Sequence, residues 1–259
     1  MSNVISINNS ILKYRETPWD KKVFELETKE ILDIKYKDAK DISLLLENLE
    51  KYFCREDDYL IYFRTDINNI NLKENLIDNG YYIAETSVKL ISKNVQKFNF
   101  SKIFKNNFEL VTNITEEYKS QIKEIAYSSF KFSRFHEDPF VDISKSKQRY
   151  CNWIDDLILQ NKYVLIYKEN NIVYSFMFYE FINDTSVSLI LGGSKEKYGQ
   201  LTPPFWTSVF NYLKSKGVKN IEVVVSVANI TIINLYIMNG FIVKNCTLDY
   251  HKIKLKEIK

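Results

Sequence analysis

Tyr236 stands in the stretch Asn229-x6-Tyr236-x3-Gly240-Phe241. A phenol with an ordinary pKa of about 10 can hand a proton to a departing anion. Glu180, in an aromatic-rich run with strand character, offers a carboxylate that can take a proton from an incoming amine. Gly192-Gly193 and the polar run from Ser194 to Leu201 lead into Thr202-Pro203, a strong helix start. Backbone N–H groups at such a strand-to-helix turn, aided by the positive end of the helix dipole, attract phosphate, and Lys195 and Lys197 add charge. Arg134 carries a planar fork suited to two phosphate oxygens, and His136 lies two residues on. Each residue also has a plainer role open to it. Asn229 can be a helix cap, Tyr236 a core aromatic, Glu180 an exposed strand residue and Arg134 a surface ion pair. The glycine turn can be an ordinary connection, and His136 a surface histidine or one beside an acceptor.

These residues need elements to hold them. The run Ile221 to Val227 is rich in β-branched residues and predicts a buried strand. Ile232, Ile233, Tyr236 and Ile237 recur at helical spacing after Asn229, and Asn239-Gly240 ends that helix before a strand running towards His251. Upstream, Thr115 caps a helix to Ser128, Phe130 to His136 forms an aromatic and basic loop, and Ser144 to Gln160 is a helix. Three strands follow, Tyr163 to Lys168, Ile172 to Ile182 and Ser186 to Leu191, joined by short Asn and Asp turns that signal hairpins. Phe205, Trp206, Val209, Phe210 and Leu213 form the buried stripe of the helix that Thr202 opens. From Phe108 the order is β, α, α, β, β, β, α, β, α, β.

The N-terminal part repeats the last motif. Asn69, Asn79, Gly80 and Tyr81 match Asn229, Asn239, Gly240 and Phe241 at a constant offset of 160, with Leu76 where the later copy has Tyr236. Around it, Thr17 to Asp20 reads as a turn, Val23 to Tyr36 as extended, Asp41 to Phe53 as an amphipathic helix and Tyr59 to Phe63 as a strand. Asn68 to Asn79 is then a helix, Tyr81 to Ile91 a strand and Ser92 to Asn107 a linker.

At 259 residues the chain can form one large domain or two modest ones. A net charge of +3, with Lys and Glu interspersed, argues against nucleic-acid binding by bulk charge. Cys54, Cys151 and Cys246 are odd in number and far apart, which argues for a reducing compartment. With 2 histidines and no paired-ligand motif, no metal site is expected. No run approaches the length of a membrane span, and Met1 to Ser10 lacks the form of a signal peptide. The expectation is a cytoplasmic protein with no membrane insertion.

The wording Asn-x6-Tyr-x3-Gly-Phe resembles the end of the Gcn5-related N-acetyltransferase (GNAT) family, and the element order from Phe108 is similar to that family's. The resemblance implies an α/β fold with a mixed, mostly antiparallel central sheet flanked by helices. It places a catalytic GNAT domain at 101–259 after an N-terminal α/β lobe at 1–100, a degenerate half-copy. It implies transfer of an acetyl or other short acyl group from acyl-CoA to a primary amine, by direct attack in a ternary complex. Tyr236 would protonate the CoA sulfur and Glu180 would serve as base. Leu191, Gly192, Gly193, Lys197, Gly199, Gln200, Leu201, Thr202 and Asn229 would hold acetyl-CoA. The phosphate motif of the family, Gln/Arg-x-x-Gly-x-Gly/Ala, is matched here by Glu196-Lys197-Tyr198-Gly199-Gln200-Leu201 at Gly199 alone of its fixed positions. Trp19-Asp20 with Phe24, Ser133-Arg134-Phe135 and Trp153-Ile154 are similar to nucleotide-sugar amine acetyltransferases of the TDP-fucosamine type. That likeness implies a nucleotide-linked amino sugar as acceptor, with Arg134 and His136 on the substrate. The partner expected is a small-molecule amine, with a homodimer allowed. The alternative is a non-catalytic GNAT-fold protein that binds acyl-CoA or a metabolite in a regulatory role.

Overall fold

Asn8 and Asn9 both take positive φ, 49° and 68°, so they form the two-residue turn that a tight hairpin requires. Strand β1 (Asn3–Ile7) thereby folds onto β2 (Ser10–Glu16) with Ile7 opposite Ser10. Residues 2–53, 58–100 and 108–255 of the chain are described by this computed structural model.

Contacts divide the chain into two units. The first comprises Met1–Ser87, Ser133–Lys145 and Cys246–Lys259, and the second comprises Val88–Phe132 and Ser146–Asn245. The expected boundary between residues 100 and 101 and the end of the expected linker meet the segment 101–107, outside the described residues.

In the first unit, Thr17-Pro18 starts a helix, α1 (Pro18–Phe24), where a turn and then extended chain were expected. Proline's fixed φ suits the first helical position, and Glu25 ends the helix in the left-handed region at φ 60°. The extended stretch is therefore shorter, β3 (Glu27–Lys35), antiparallel to β2 and parallel to β4 (Tyr59–Asp66). Helices α2 (Lys40–Glu50) and α3 (Ile70–Asp78) bury Leu45, Leu46, Leu49, Leu72 and Leu76 against Ile61, Phe63 and Tyr250. Strand β5 (Tyr82–Lys93) ends in the second unit, and β10 (Ile242–Lys254) begins there. The later part of β10 lies antiparallel beside β4, from Thr247 opposite Asp66 to Lys254 opposite Tyr59. On the other face of these strands Val23, Phe24, Leu60, Tyr62 and Phe135 pack together.

The second unit carries α4 (Glu116–Ser129), capped by Thr115, whose hydroxyl accepts from the Tyr118 N–H at 3.2 Å, and α5 (Ile143–Leu159), most of which belongs to this unit. Strands β6 (Tyr163–Glu169), β7 (Ile172–Asn183) and β8 (Ser186–Ser194) form an antiparallel meander. Its first turn, Asn170-Asn171, again has two left-handed residues. Phe108 to Val111, expected as a strand, supplies only a bridge from Val111 to Ile166. Ile122, Ile125, Ile154 and Leu157 of α4 and α5 bury the face carrying Ile166, Phe176 and Phe178. Helix α6 (Thr202–Ser215), strand β9 (Asn220–Ser226) and helix α7 (Ile230–Met238) complete the unit, with β8 and β9 parallel and β5 next to β9.

Gly192-Gly193 is not the turn that was expected. Both residues lie within β8, opposite Met177 and Phe176. A Cβ on Gly192 would sit 2.5 Å from Met177 Cε, and one on Gly193 would sit 2.6 Å from Phe130 Cε1. Close packing from two distant side chains fixes these glycines.

Candidate functional site

The parallel ladder between β8 and β9 runs from Ser186–Asn220 to Leu189–Val223. Both strands then continue, β8 to Ser194 and β9 to Ser226, without further pairing to each other. The second unit's sheet opens there as a wedge. Past Leu189, β8 keeps its hydrogen bonds to β7 on one side and leaves backbone N–H and C=O groups unpaired on the other. An extended ligand with an amide backbone can satisfy such groups as an added strand does.

At the end of β8 the chain winds through a 3₁₀ segment, Glu196–Leu201, into α6. Lys131 pairs with Glu196 at 2.6 Å and holds that carboxyl below its usual range. Lys197, Gly199 and Gln200 are exposed, and a Cβ on Gly199 would meet nothing within 4 Å. Thr202 does not cap α6 with its side chain, contrary to expectation. Leu201 holds the cap position, no side chain fills it, and the Thr202 N–H bonds back to the Gly199 carbonyl. Pro203 and Pro204 contribute no N–H, so the anion-attracting helix end has fewer donors than most.

Asn229 does cap α7, its Oδ1 accepting from the Ile232 N–H at 3.4 Å. Two turns of helix further on, Tyr236 is only 2% exposed. Its ring meets Phe241 at 4.9 Å and Phe210 at 6.0 Å between centroids. Burial raises its pKa, and Trp206 on α6 acts in the opposite direction. The phenol thus keeps its proton throughout the neutral range. Glu180 is ion-paired with Lys162 and lies opposite Ser188, on the paired side of the point where the wedge opens. Leu191 is buried in β8.

The two substrate candidates belong to the first unit. Arg134 lies 3.5 Å from Asp249 and 3.9 Å from Glu30, with its guanidinium 4.3 Å above the Tyr62 ring. Tyr62 donates to Asp20 at 2.5 Å, and the Phe24 and Phe135 rings are 4.8 Å apart. The Trp19-Asp20-Phe24 and Ser133-Arg134-Phe135 stretches therefore meet in one polar interior. His136 Nδ1 is 2.9 Å from the Ser133 hydroxyl, which also accepts from the His136 N–H. The sequence expectations missed the opening between β8 and β9, which depends on register, and the pairing of Lys131 with Glu196. Among the described residues no group of His, Cys, Asp and Glu has the makings of a metal site, and no helix is long and apolar enough to cross a membrane.

No protein-family model matches the sequence, and no curated protein matches it. Solved structures do match. The fold is that of the GNAT acetyltransferases. A GCN5-related N-acetyltransferase from Kribbella flavida aligns over 97% of this chain and 89% of its own, with TM-score 0.62 and 11% identity. A conserved protein of unknown function from Staphylococcus epidermidis aligns over 98% and 95%, with TM-score 0.64 and 12% identity. A tandem GNAT protein from the clavulanic acid biosynthesis pathway aligns over 98% and 83%, with TM-score 0.59 and 8% identity.

Proposed function

We propose that this protein transfers a short acyl group, acetyl first among them, from acyl-CoA to the primary amine of a small molecule. The observation that carries the proposal is the opening between β8 and β9 after Leu189–Val223, next to an α6 start that no side chain caps. The pantetheine arm of CoA is an extended chain with two amides, and it suits the unpaired edge. The diphosphate suits the end of α6 near Lys197 and Gly199. An acyl group laid along the edge would present its carbonyl oxygen to a backbone N–H within Leu191 to Gly193.

Tyr236 then supplies the proton for the departing sulfur, whose thiol has a pKa of about 8.5. Arg134 is occupied by Asp249 and Glu30, so of the nucleotide-linked amino sugar proposed as acceptor the amine is the better supported part, and the diphosphate the weaker. Glu180, held by Lys162, would have to give up that partner to act as base.

A second reading is a GNAT-fold binding protein without turnover. The two prolines that strip donors from α6 favour it. Calorimetry with acetyl-CoA, followed by thiol release in the presence of glucosamine, putrescine, lysine or an aminoglycoside, separates the readings. Binding with thiol release supports the enzyme. Binding without release from any of these amines favours the sensor, and absence of binding removes the enzyme and the acyl-CoA sensor, leaving only a binder of another metabolite.

A further inference from the structure

Segment Ser133–Lys145 belongs to the first unit, while the chain on either side of it belongs to the second. Its turns close on themselves, the Glu137 and Val141 N–H groups returning to the Ser133 and Asp138 carbonyls at 2.9 and 3.3 Å. Side chains tie it down. Phe135 packs with Val23, Phe24, Leu60 and Tyr62, Lys145 reaches the Phe24 carbonyl at 3.0 Å, and Arg134 meets Asp249. The innermost tie is Asp138. Its carboxylate accepts from the Tyr82 hydroxyl and from the Phe140 N–H, each at 2.9 Å, and lies 2.6 Å from His251 Nδ1. Both side chains of that last pair are fully buried. With Nδ1 donating its hydrogen to Asp138, Nε2 of His251 is an acceptor, and it has no hydrogen-bond partner. Around the imidazole stand the rings of Phe135 at 5.5 Å, Tyr62 at 6.0 Å and Tyr82 at 6.3 Å between centroids.

We propose that Ser133–Lys145 is a strap latched by the His251–Asp138 pair: it lies seated while His251 is neutral and lifts when Nε2 takes a proton. The inference is independent of the acyl-transfer reading. An imidazole changes charge near pH 6.5, between the acidic and neutral ends of the physiological range. The added N–H of the imidazolium would point among aromatic rings with no acceptor, and its charge would be cut off from water. Burial accordingly lowers the pKa of His251, against the pull of Asp138. Lifting the strap gives the ring to water, where it holds a proton at its ordinary pKa of about 6.5. A base whose seated pKa lies below its free value stabilises the seated state above about pH 6.5, and that support is lost as pH falls. The other charged groups of this layer are Arg134 and Glu137 on the strap, Asp249 on β10, Arg64 on β4, Glu85 on β5, Glu30 on β3 and Asp20 on α1. Of these, Arg134 opposes the proton on His251 and Asp249 favours it. Glu85, raised to about 7, has the opposite sign, so acid does not lift the strap through it. His136, 2.9 Å from the Ser133 hydroxyl, is the chain's second histidine and lies on the strap itself.

The experiment is hydrogen–deuterium exchange on the whole chain between about pH 8 and 5.5, corrected for intrinsic rates. The reporters are the Phe140 and Val141 amides, which bond to Asp138, with the amides of β4 as reference. Protection of the strap is expected to fall below about pH 6.5, by up to about tenfold per pH unit, while β4 keeps its own. His251→Gln should abolish the fall, and His136→Gln should leave it in place. A fall that persists in His251→Gln, vanishes in His136→Gln or is shared by β4 would overturn the proposal. Should His251→Gln fail to fold, NMR titration of the single imidazole left in His136→Gln decides the matter. A midpoint below about 6.5 is expected for His251, and one at or above that value would show that the seated strap does not resist the proton.

Discussion

Helices α3 and α7 are built alike at their ends, and they differ in what they bury. Asn69 and Asn229 sit at φ/ψ of −81°/83° and −86°/60°, and each accepts from the N–H three residues on. Asn79 and Asn239 close the helices at −91°/15° and −89°/18°, and Gly80 and Gly240 follow at φ +79° and +80°. Tyr81 and Phe241 then donate their N–H groups to the carbonyls of Leu76 and Tyr236. The frame is the same and the side chain is not.

The ends of α2 and α6 differ in the same spirit. At the start of α2, Asp38 accepts from the Lys40 N–H at 3.0 Å, and Asp41 is held by Ser10 and Asn8 at 2.6 and 3.1 Å. Those hydrogen bonds keep the Asp41 carboxyl below its usual range, so the chain fills its own anion position there. At the start of α6 no carboxylate plays that part. The comparison teaches that the N-terminal copy is closed off by its own residues, and that the later copy leaves both the helix end and a buried hydroxyl for something else.

Seven substitutions, in four groups, press on this contrast. The largest effect should come from giving the later copy the earlier one's residue: Tyr236→Leu is expected to lower kcat by about 10² or more while the fold holds, measured by thiol release beside near-UV circular dichroism. The converse, Leu76→Tyr, should bring no activity and cost about 1–3 kcal/mol by denaturant unfolding, since the larger ring must enter a site where Leu76 is fully buried.

The two glycines come next. Alanine at Gly80 carries the left-handed penalty of about 1–2 kcal/mol, its Cβ clearing Lys252 Cε by 3.7 Å. At Gly240 the Cβ would lie 2.4 Å from Phe98 Cε2, so Gly240→Ala should cost distinctly more. Equal losses would mean that Phe98 swings aside freely.

Glu85 of the first copy corresponds in sequence to Asn245 of the later one at the same offset of 160. Burial, then Asp249, raises the Glu85 pKa to about 7. A carboxyl whose folded pKa is raised contributes its stability below pH 4.5, and that contribution is lost as pH rises through about 7. Glu85→Asn should therefore raise the thermal midpoint at pH 8 relative to the parent and lose that advantage by pH 5. A pH-independent difference would locate the effect in Arg64, which lies 3.7 Å from this carboxyl.

The smallest effect should be at the caps. Asn69→Ala and Asn229→Ala each remove a cap worth about 1 kcal/mol. If Asn229 also touches the cofactor, its substitution alone will weaken acetyl-CoA binding in calorimetry.

Most elements after Thr115 were legible because periodicity, Asn turns and caps are local. The first hairpin was missed although Asn8-Asn9 uses the same turn as Asn170-Asn171, and α1 was missed because its seven residues show too little of the helical period. The opening at Leu189–Val223 could not be read locally, since it depends on where two strands 34 residues apart stop pairing. Gly192 and Gly193 were expected to form a turn and lie within β8, because Met177 and Phe130, which crowd them, are distant in sequence. Arg134 looked free for phosphate until Asp249, 115 residues later, was seen to hold it.

One of the two partners of β4 is the late strand β10, and Arg64 grips Asp249 across a separation of 185 residues. During synthesis, then, β4 leaves the ribosome long before the strand that covers its edge. Until residues 246–254 emerge, β4 has a bare edge, which neighbouring nascent chains can pair with. Folding of the first unit should be slow and late, and a chain that stalls after β9 should be a target for chaperones and not a half-working protein.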